Sequence, residues 1–298
     1  MTFPGFRIGH REDFRLATGC TVFLFDVPNT ALALVCGGAP GSRELPALSP
    51  GRLIQSVDAI VLSGGSALGL RCAEGVVDFL REHQRGFATK VARVPIVAQA
   101  VIYDLEIGEI AFPGAEWGYE AAQRAESNTR EGTVGVGTGA TVGKMYGMPW
   151  AMKGGFGKGE AEVFGGHIWA FVVTNSLGDV YDPQSGMRLA GSRREGAFDA
   201  PLSPFNTTLS VVIFDLLLSR EDLLSLSSVV HSALATCIRP FGTIYDGDVL
   251  FLVALGGKPP QDHLTLVQGV YTSVVEAVLS SVKNATSLCG IPSFGVLQ

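Results

Sequence analysis

The 298-residue sequence has no run of Lys and Arg, no Cys-x-x-Cys pair and no His-Glu-x-x-His motif. Nor does it show an apolar run approaching the ~20 residues that a bilayer span needs. Each absence removes a class of function. A net charge of −6 without a basic cluster argues against nucleic acid and anionic membrane surfaces as partners. Five cysteines (Cys20, Cys36, Cys72, Cys237 and Cys289) form an odd set without metal or redox spacing. They read as reduced, mostly buried thiols, and so point to a cytoplasmic protein. The opening MTFPGFRIGHRED lacks the apolar core of a secretory signal. Five scattered histidines give a metal site little support.

What is present is apolar. With 47% apolar and only 17% charged residues, much of the chain must enter a large core or an interface between copies. TVFLFDV and ALALVCGG read as two strands joined by a PNT turn, a hairpin. VDAIVLSGG is a buried strand, and SALGLRCAEGVVDFLREH has helical periodicity, with Leu68, Cys72, Val76, Val77 and Leu80 on one face. AEVFGGHIWAFVVTNSLGDVYD holds two strands. Residues 181–206 are polar, with Gly and Pro and no periodicity, as in a linker. A strand, LSVVIFDLL, follows. Next comes a helix opened by Ser219 with Asp222 three residues on, a capping-box spacing. GTIYDGDVLFLVALG is another strand, and LTLVQGVYTSVVEAVLSSVKNA is the last helix. Hairpins mixed with covering helices predict a layered α+β architecture rather than a doubly wound parallel sheet.

Four motifs carry possible chemistry. GTGATVGK resembles a phosphate loop, but Thr138 stands at the first Gly position and Met145 at the last hydroxyl position. Its glycines more simply let backbone approach a site faced by Lys144. SGGSALG resembles a hydrolase elbow with Leu68 in place of the second Gly; Ser66 reads better as a helix N-cap. The glycine junction before it could offer backbone N–H groups to an anion. In YDGDVLFLV, Asp246 and Asp248 share one strand face, repel each other and call for a cation. Finally, SPFNTTLSVV reads either as a turn before a strand or as a self-cleavage site between Asn206 and Thr207. Cleavage there would free a Thr207 amine able to act as base for its own hydroxyl.

Together, RIGH, TGCTVFLFD, VDAIVLSGGSALGL, VPIVAQAVIYDL, GTVGVGTGATVGK, FVVTNSLGDV, FNTTLSVV and TIYDGDVLF resemble, in that order, the self-processing P1 (S58) peptidases. This group holds D-aminopeptidase-esterases, β-peptidyl aminopeptidases and 6-aminohexanoate-oligomer hydrolases. The resemblance implies a four-layered αββα sandwich similar to N-terminal-nucleophile hydrolases, in one catalytic domain cleaved into fragments 1–206 and 207–298. It implies Thr207 as nucleophile, Asp246 and Asp248 as the pair holding its amine and hydroxyl, and Asn175 as side-chain oxyanion donor. It also implies Lys144 as the nearby cation and Tyr103 as the residue orienting the reacting group. Thr-Asp-Asp looks more like the nylon-oligomer branch than the aminopeptidases, which use Ser, Ser and Glu. Two positions depart from the pattern. Val101 stands where aminopeptidases carry an amine-binding Glu, which leaves room for internal amide cleavage, and HSALATCI lacks the Asp-Gly usual after its His.

The expected activity is therefore hydrolysis of small peptide-like or oligoamide substrates, with no cofactor and assembly as a tetramer of αβ pairs. An acyltransferase of the ornithine acetyltransferase type is the alternative, although MKGGFGKGE has only a passing likeness to that group's KGSGM-like segment. A processed, non-catalytic scaffold is the other.

Overall fold

The computed structural model describes residues 2–194, 196 and 205–296. Its strands are β1 (Phe6–Asp13), β2 (Thr18–Phe25), β3 (Thr30–Val35), β4 (Ser42–Arg43), β5 (Ala59–Ser63), β6 (Phe87–Ala88), β7 (Arg93–Val94) and β8 (Val97–Val101). They continue as β9 (Thr141–Val142), β10 (Met152–Lys153), β11 (Phe156–Val163), β12 (Gly166–Asn175), β13 (Asp179–Tyr181), β14 (Arg188–Ala190), β15 (Thr207–Leu216), β16 (Ile238–Arg239) and β17 (Val249–Lys258). The helices are α1 (Cys72–Glu82), α2 (Ala115–Gln123), α3 (Arg220–Cys237) and α4 (His263–Lys283).

Two five-stranded sheets, ordered β1-β2-β5-β8-β4 and β11-β12-β15-β17-β3, lie face to face. Phe23, Phe25, Ile60 and Leu62 from the first meet Phe171, Leu209, Val211 and Phe251 from the second in one buried cluster. The outer face of the first sheet packs on α1 and α2 through Val22, Val61, Val76 and Ala121. That of the second packs on α3 and α4 through Val172, Val212, Leu226, Val270 and Val274. The result is the expected αββα sandwich, with mostly antiparallel pairing and one parallel pair in each sheet, β5–β8 and β15–β17.

Alternation decides the faces. Leu209, Val211 and Ile213 of β15 point between the sheets, and Val212 and Phe214 point at the helices. Each such buried side chain contributes about 1.5–3 kcal/mol. α4 is long and apolar enough to cross a membrane by length and composition. Here its Val270, Val274 and Val278 face is buried against the second sheet.

Four expectations need correction. β2 and β3 form no hairpin: β2 pairs with β1 and β5, while β3 pairs with β17 in the other sheet. The PNT segment carries the chain from one layer to the other. Leu68 is half exposed rather than on the buried helix face, because residues 66–71 wind as a 3₁₀ turn before α1 begins at Cys72. Ser66 is no N-cap: it has φ 52°, and the residue before the turn is left-handed Gly65. Finally, residues 181–206 are not all linker, since Arg188–Ala190 pair with β13. Glu195 and residues 197–204 of that segment lie outside the described residues.

Candidate active site

Thr207 is the first residue of β15, on the face that points between the sheets. Asn175, the last residue of β12, stands directly opposite it. On its other side Asn206 bridges Asp246 in parallel, and Leu209 pairs with Val249. That constant offset sets Gly247 beside Thr207 and Asp248 beside Thr208. Asn206, Thr207, Asp246, Asp248 and Asn175 are all buried. Residues far apart in sequence thus meet at one end of the inter-sheet space.

The Asn206–Thr207 peptide is held at its carbonyl. Thr207 Oγ1 donates to the Asn206 carbonyl oxygen at 2.5 Å, and the Gly247 N–H donates to the same oxygen at 2.7 Å. The Asn206 N–H in turn donates to Tyr245 O at 3.2 Å. Gly247 has no room for a side chain: a Cβ there would lie 2.7 Å from Ala39 O and 2.8 Å from Thr207 Oγ1. The glycine between the two aspartates is therefore what lets the hydroxyl and the N–H reach one oxygen.

The aspartates are held differently. Asp246 Oδ2 accepts from Thr243 N–H at 2.9 Å and Thr243 Oγ1 at 2.6 Å. Asp248 Oδ1 accepts from the Thr208 N–H, one residue past Thr207. Burial, and then the Asp246 charge, push the Asp248 carboxyl up to about 8, so that it is largely protonated at neutral pH.

Lys144 and Asn175 form the opposite wall. Lys144 Nζ donates to Asn175 O at 2.9 Å and to Asn175 Oδ1 at 3.0 Å. Thr141 adds its N–H at 3.0 Å and its hydroxyl at 3.3 Å to the same Oδ1. With Oδ1 so occupied, Asn175 Nδ2 is turned to Tyr103 O, 3.2 Å away. The cation expected beside the aspartates is thus bonded to Asn175, and the Asp246 charge reaches it through space. Burial pushes the Lys144 ammonium down to about 7 against that field. Tyr103 is half-buried, and burial together with the Glu106 carboxylate raises its hydroxyl above the usual range. Its ring packs on Phe205, centroids 4.9 Å apart and planes 33° apart. Val101, at the position discussed above, is a buried strand residue paired with Ser63.

Sequence reasoning missed a second buried layer. Asp104, adjacent to Tyr103, accepts from Thr18 Oγ1 and from the Gly65 N–H, each at 2.7 Å. The Gly64 and Ser66 N–H groups bond to Gly19 O and Ile102 O. The glycine junction therefore offers no anion site to a ligand, because Asp104 is its anion. Gly64 and Gly139 both crowd this carboxylate; a Cβ on either would come within 2.1 Å of it. Lys153 Nζ donates to Thr138 O at 2.8 Å and Ala140 O at 2.7 Å, fixing the segment that carries Thr141. Burial pushes Asp104 up to about 6 and Lys153 down to about 7, and the field of each partly offsets the shift of the other. The only sequence signal for this layer was the glycine pairs themselves.

Comparison with known proteins gives a consistent picture. The description of peptidase family S58 matches residues 3–293. An uncharacterised aminopeptidase of Mycobacterium tuberculosis is 37% identical, over 97% of this chain and 95% of its own. A 6-aminohexanoate-oligomer endohydrolase of Paenarthrobacter ureafaciens is 31% identical, over 84% of this chain and 73% of its own. Among solved structures, a Burkholderia β-aminopeptidase superposes with a TM-score of 0.71 at 20% identity, covering 98% of this chain and 89% of that one. The L-aminopeptidase D-Ala-esterase/amidase of Ochrobactrum anthropi, described as a variant of the Ntn hydrolase fold, gives 0.69 at 18% identity over 95% and 85%.

Proposed function

The chain belongs to peptidase family S58 and is a hydrolase acting on amide bonds, and from that premise we propose that it cleaves itself between Asn206 and Thr207 and then uses Thr207 as an N-terminal nucleophile. The observation that carries this reading is the double engagement of one carbonyl oxygen by Thr207 Oγ1 and the Gly247 N–H.

In self-cleavage, Thr207 Oγ attacks the Asn206 carbonyl carbon, and negative charge develops on the oxygen to which Gly247 already donates. Lys144, part-neutral near pH 7, takes the hydroxyl proton, directly or through water, and supplies a proton to the departing Thr207 nitrogen. The amide C–N bond breaks, leaving an Asn206 ester on Thr207 Oγ. Water hydrolyses that ester to the Asn206 carboxylate and the free hydroxyl, and the new α-amine remains between Asn175 and the aspartates.

In turnover, the same hydroxyl attacks a substrate amide, its proton passing to the α-amine and then to the leaving amine; water releases the acyl group. Asp248 and Asp246 hold the amine, and Asn175 Nδ2 with Gly247 N–H receives the oxyanion, an interaction worth about 3–4 kcal/mol per donor. The buried Val101 supports cleavage within oligoamides as well as at their ends. We include in this reading a cytoplasmic location and assembly of several αβ pairs, which light scattering on the purified protein measures.

Denaturing mass spectrometry tests the first step. Fragments 1–206 and 207–298 are expected from the wild type, and an intact chain from Thr207→Ala. An uncleaved wild type after long incubation, or normal cleavage of the variant, would rule out Thr207.

A further inference from the structure

The uncleaved chain is its own first substrate, and its upstream arm reports what the site accepts. If one hydroxyl attacks both its own chain and a foreign amide, both carbonyls must occupy the same place beside Thr207 Oγ1 and the Gly247 N–H. Residues 205 and 206 then trace the acyl half of a substrate. Asn206, next to the bond, is buried and tied by its N–H to Tyr245 O. Phe205, one further out, is 49% exposed and lays its ring on Tyr103.

The Tyr103 backbone is tied to the site, because its carbonyl oxygen receives Asn175 Nδ2. The residue whose ring Phe205 rests on is therefore anchored, through its backbone, to Asn175 opposite Thr207.

We propose that the ring face of Tyr103 is a binding subsite for the second residue on the acyl side of the scissile bond, and that it takes an aromatic side chain. Favoured substrates are accordingly peptides carrying at least two residues upstream of the cleaved bond, the outer one aromatic. This rests on the self-cleavage reading above. It goes further by assigning Tyr103 a role in selecting substrate, separate from orienting the reacting group. Self-cleavage followed by departure of the Phe205 ring frees this face for a foreign substrate.

The test uses two readouts. Full-length chains made by cell-free translation are followed for the appearance of the two fragments. Phe205→Ala is expected to slow cleavage about tenfold, the scale of one aromatic pair with its burial, and Phe205→Trp to restore it. In a Tyr103→Leu background, Phe205→Ala should slow cleavage no further. With processed enzyme, acetyl-Phe-Asn-anilide should exceed acetyl-Ala-Asn-anilide about tenfold in kcat/KM, and Tyr103→Leu should abolish the difference. Equal self-cleavage of wild type and Phe205→Ala, with equal kcat/KM for the two anilides, overturns the subsite and leaves the nucleophile assignment standing. A wild type that neither cleaves itself nor hydrolyses either anilide overturns both.

Discussion

At the scale of single residues, the smallest one sets the geometry. Gly247 could be read in the sequence only as a spacer between two acids, since nothing in Asp-Gly-Asp shows that its N–H points at a carbonyl forty-one residues upstream. That Thr207, Asp246, Asp248, Asn175 and Lys144 gather in one place was legible because they lie in segments that follow a family order. The role of Gly247 resides in backbone, so no residue type announces it. Gly247→Ala tests it. Its methyl would crowd Thr207 Oγ1 and Ala39 O, displacing either the hydroxyl or the N–H. We expect self-cleavage to slow on the order of 100-fold, comparable to loss of one oxyanion donor, with about 1–3 kcal/mol lost in stability from overpacking. The fragment ratio on a denaturing gel and a thermal melt measure the two separately. Cleavage at the wild-type rate would dismiss the geometric role of Gly247.

At the scale of elements, the sequence was most reliable where one face is buried and one special residue marks an end. α3 begins where Ser219 and Asp222 predict: the Ser219 hydroxyl accepts from the Asp222 N–H, and Asp222 Oδ2 accepts from the Ser219 N–H. Ser219→Ala is expected to destabilise the fold by about 1 kcal/mol while leaving self-cleavage unchanged, because the cap lies on the helical side of the second sheet. Chemical denaturation followed by circular dichroism measures the loss; an unchanged midpoint would show that the cap is dispensable. The misreading of β2 and β3 has the opposite cause. Every residue of β2 is buried, so its apolar pattern carries no record of which sheet its successor joins. A short polar connection between two buried strands fits a hairpin and a crossing between layers equally well. The glycines at 64, 65 and 139 were ambiguous for a related reason, since a loop that wraps an internal carboxylate has the composition of one that wraps a ligand.

At the scale of the molecule, the interior holds more ionisable groups than the proposed cleavage steps use, and they couple its stability to pH in opposite directions. Lys144 and Lys153 have folded pKa values near 7, against 10.5 for a free side chain. Between those limits the unfolded chain binds more protons than the folded one, so stability rises with pH from about 7 to 10.5. Asp248 does the reverse. Its folded pKa of about 8 lies above the free value of 3.8, so the folded chain binds more protons in that window and stability falls as pH climbs from about 4 to 8. Asp104, near 6, adds to the same decline at its lower end. The Thr207→Ala chain isolates these terms from the charges that the proposed self-cleavage would create, and its melting temperature should dip near pH 7–8 and recover toward pH 10. Adding Asp248→Asn should flatten the acid-side decline. Adding Lys153→Met should flatten part of the alkaline recovery and raise the Asp104 pKa further, since the positive charge that favours its carboxylate is then gone. A melting profile for Asp248→Asn that falls from pH 4 to 8 as steeply as its parent would show that this carboxyl is ionised in the fold, and the Thr208 N–H would then face a buried negative charge throughout catalysis.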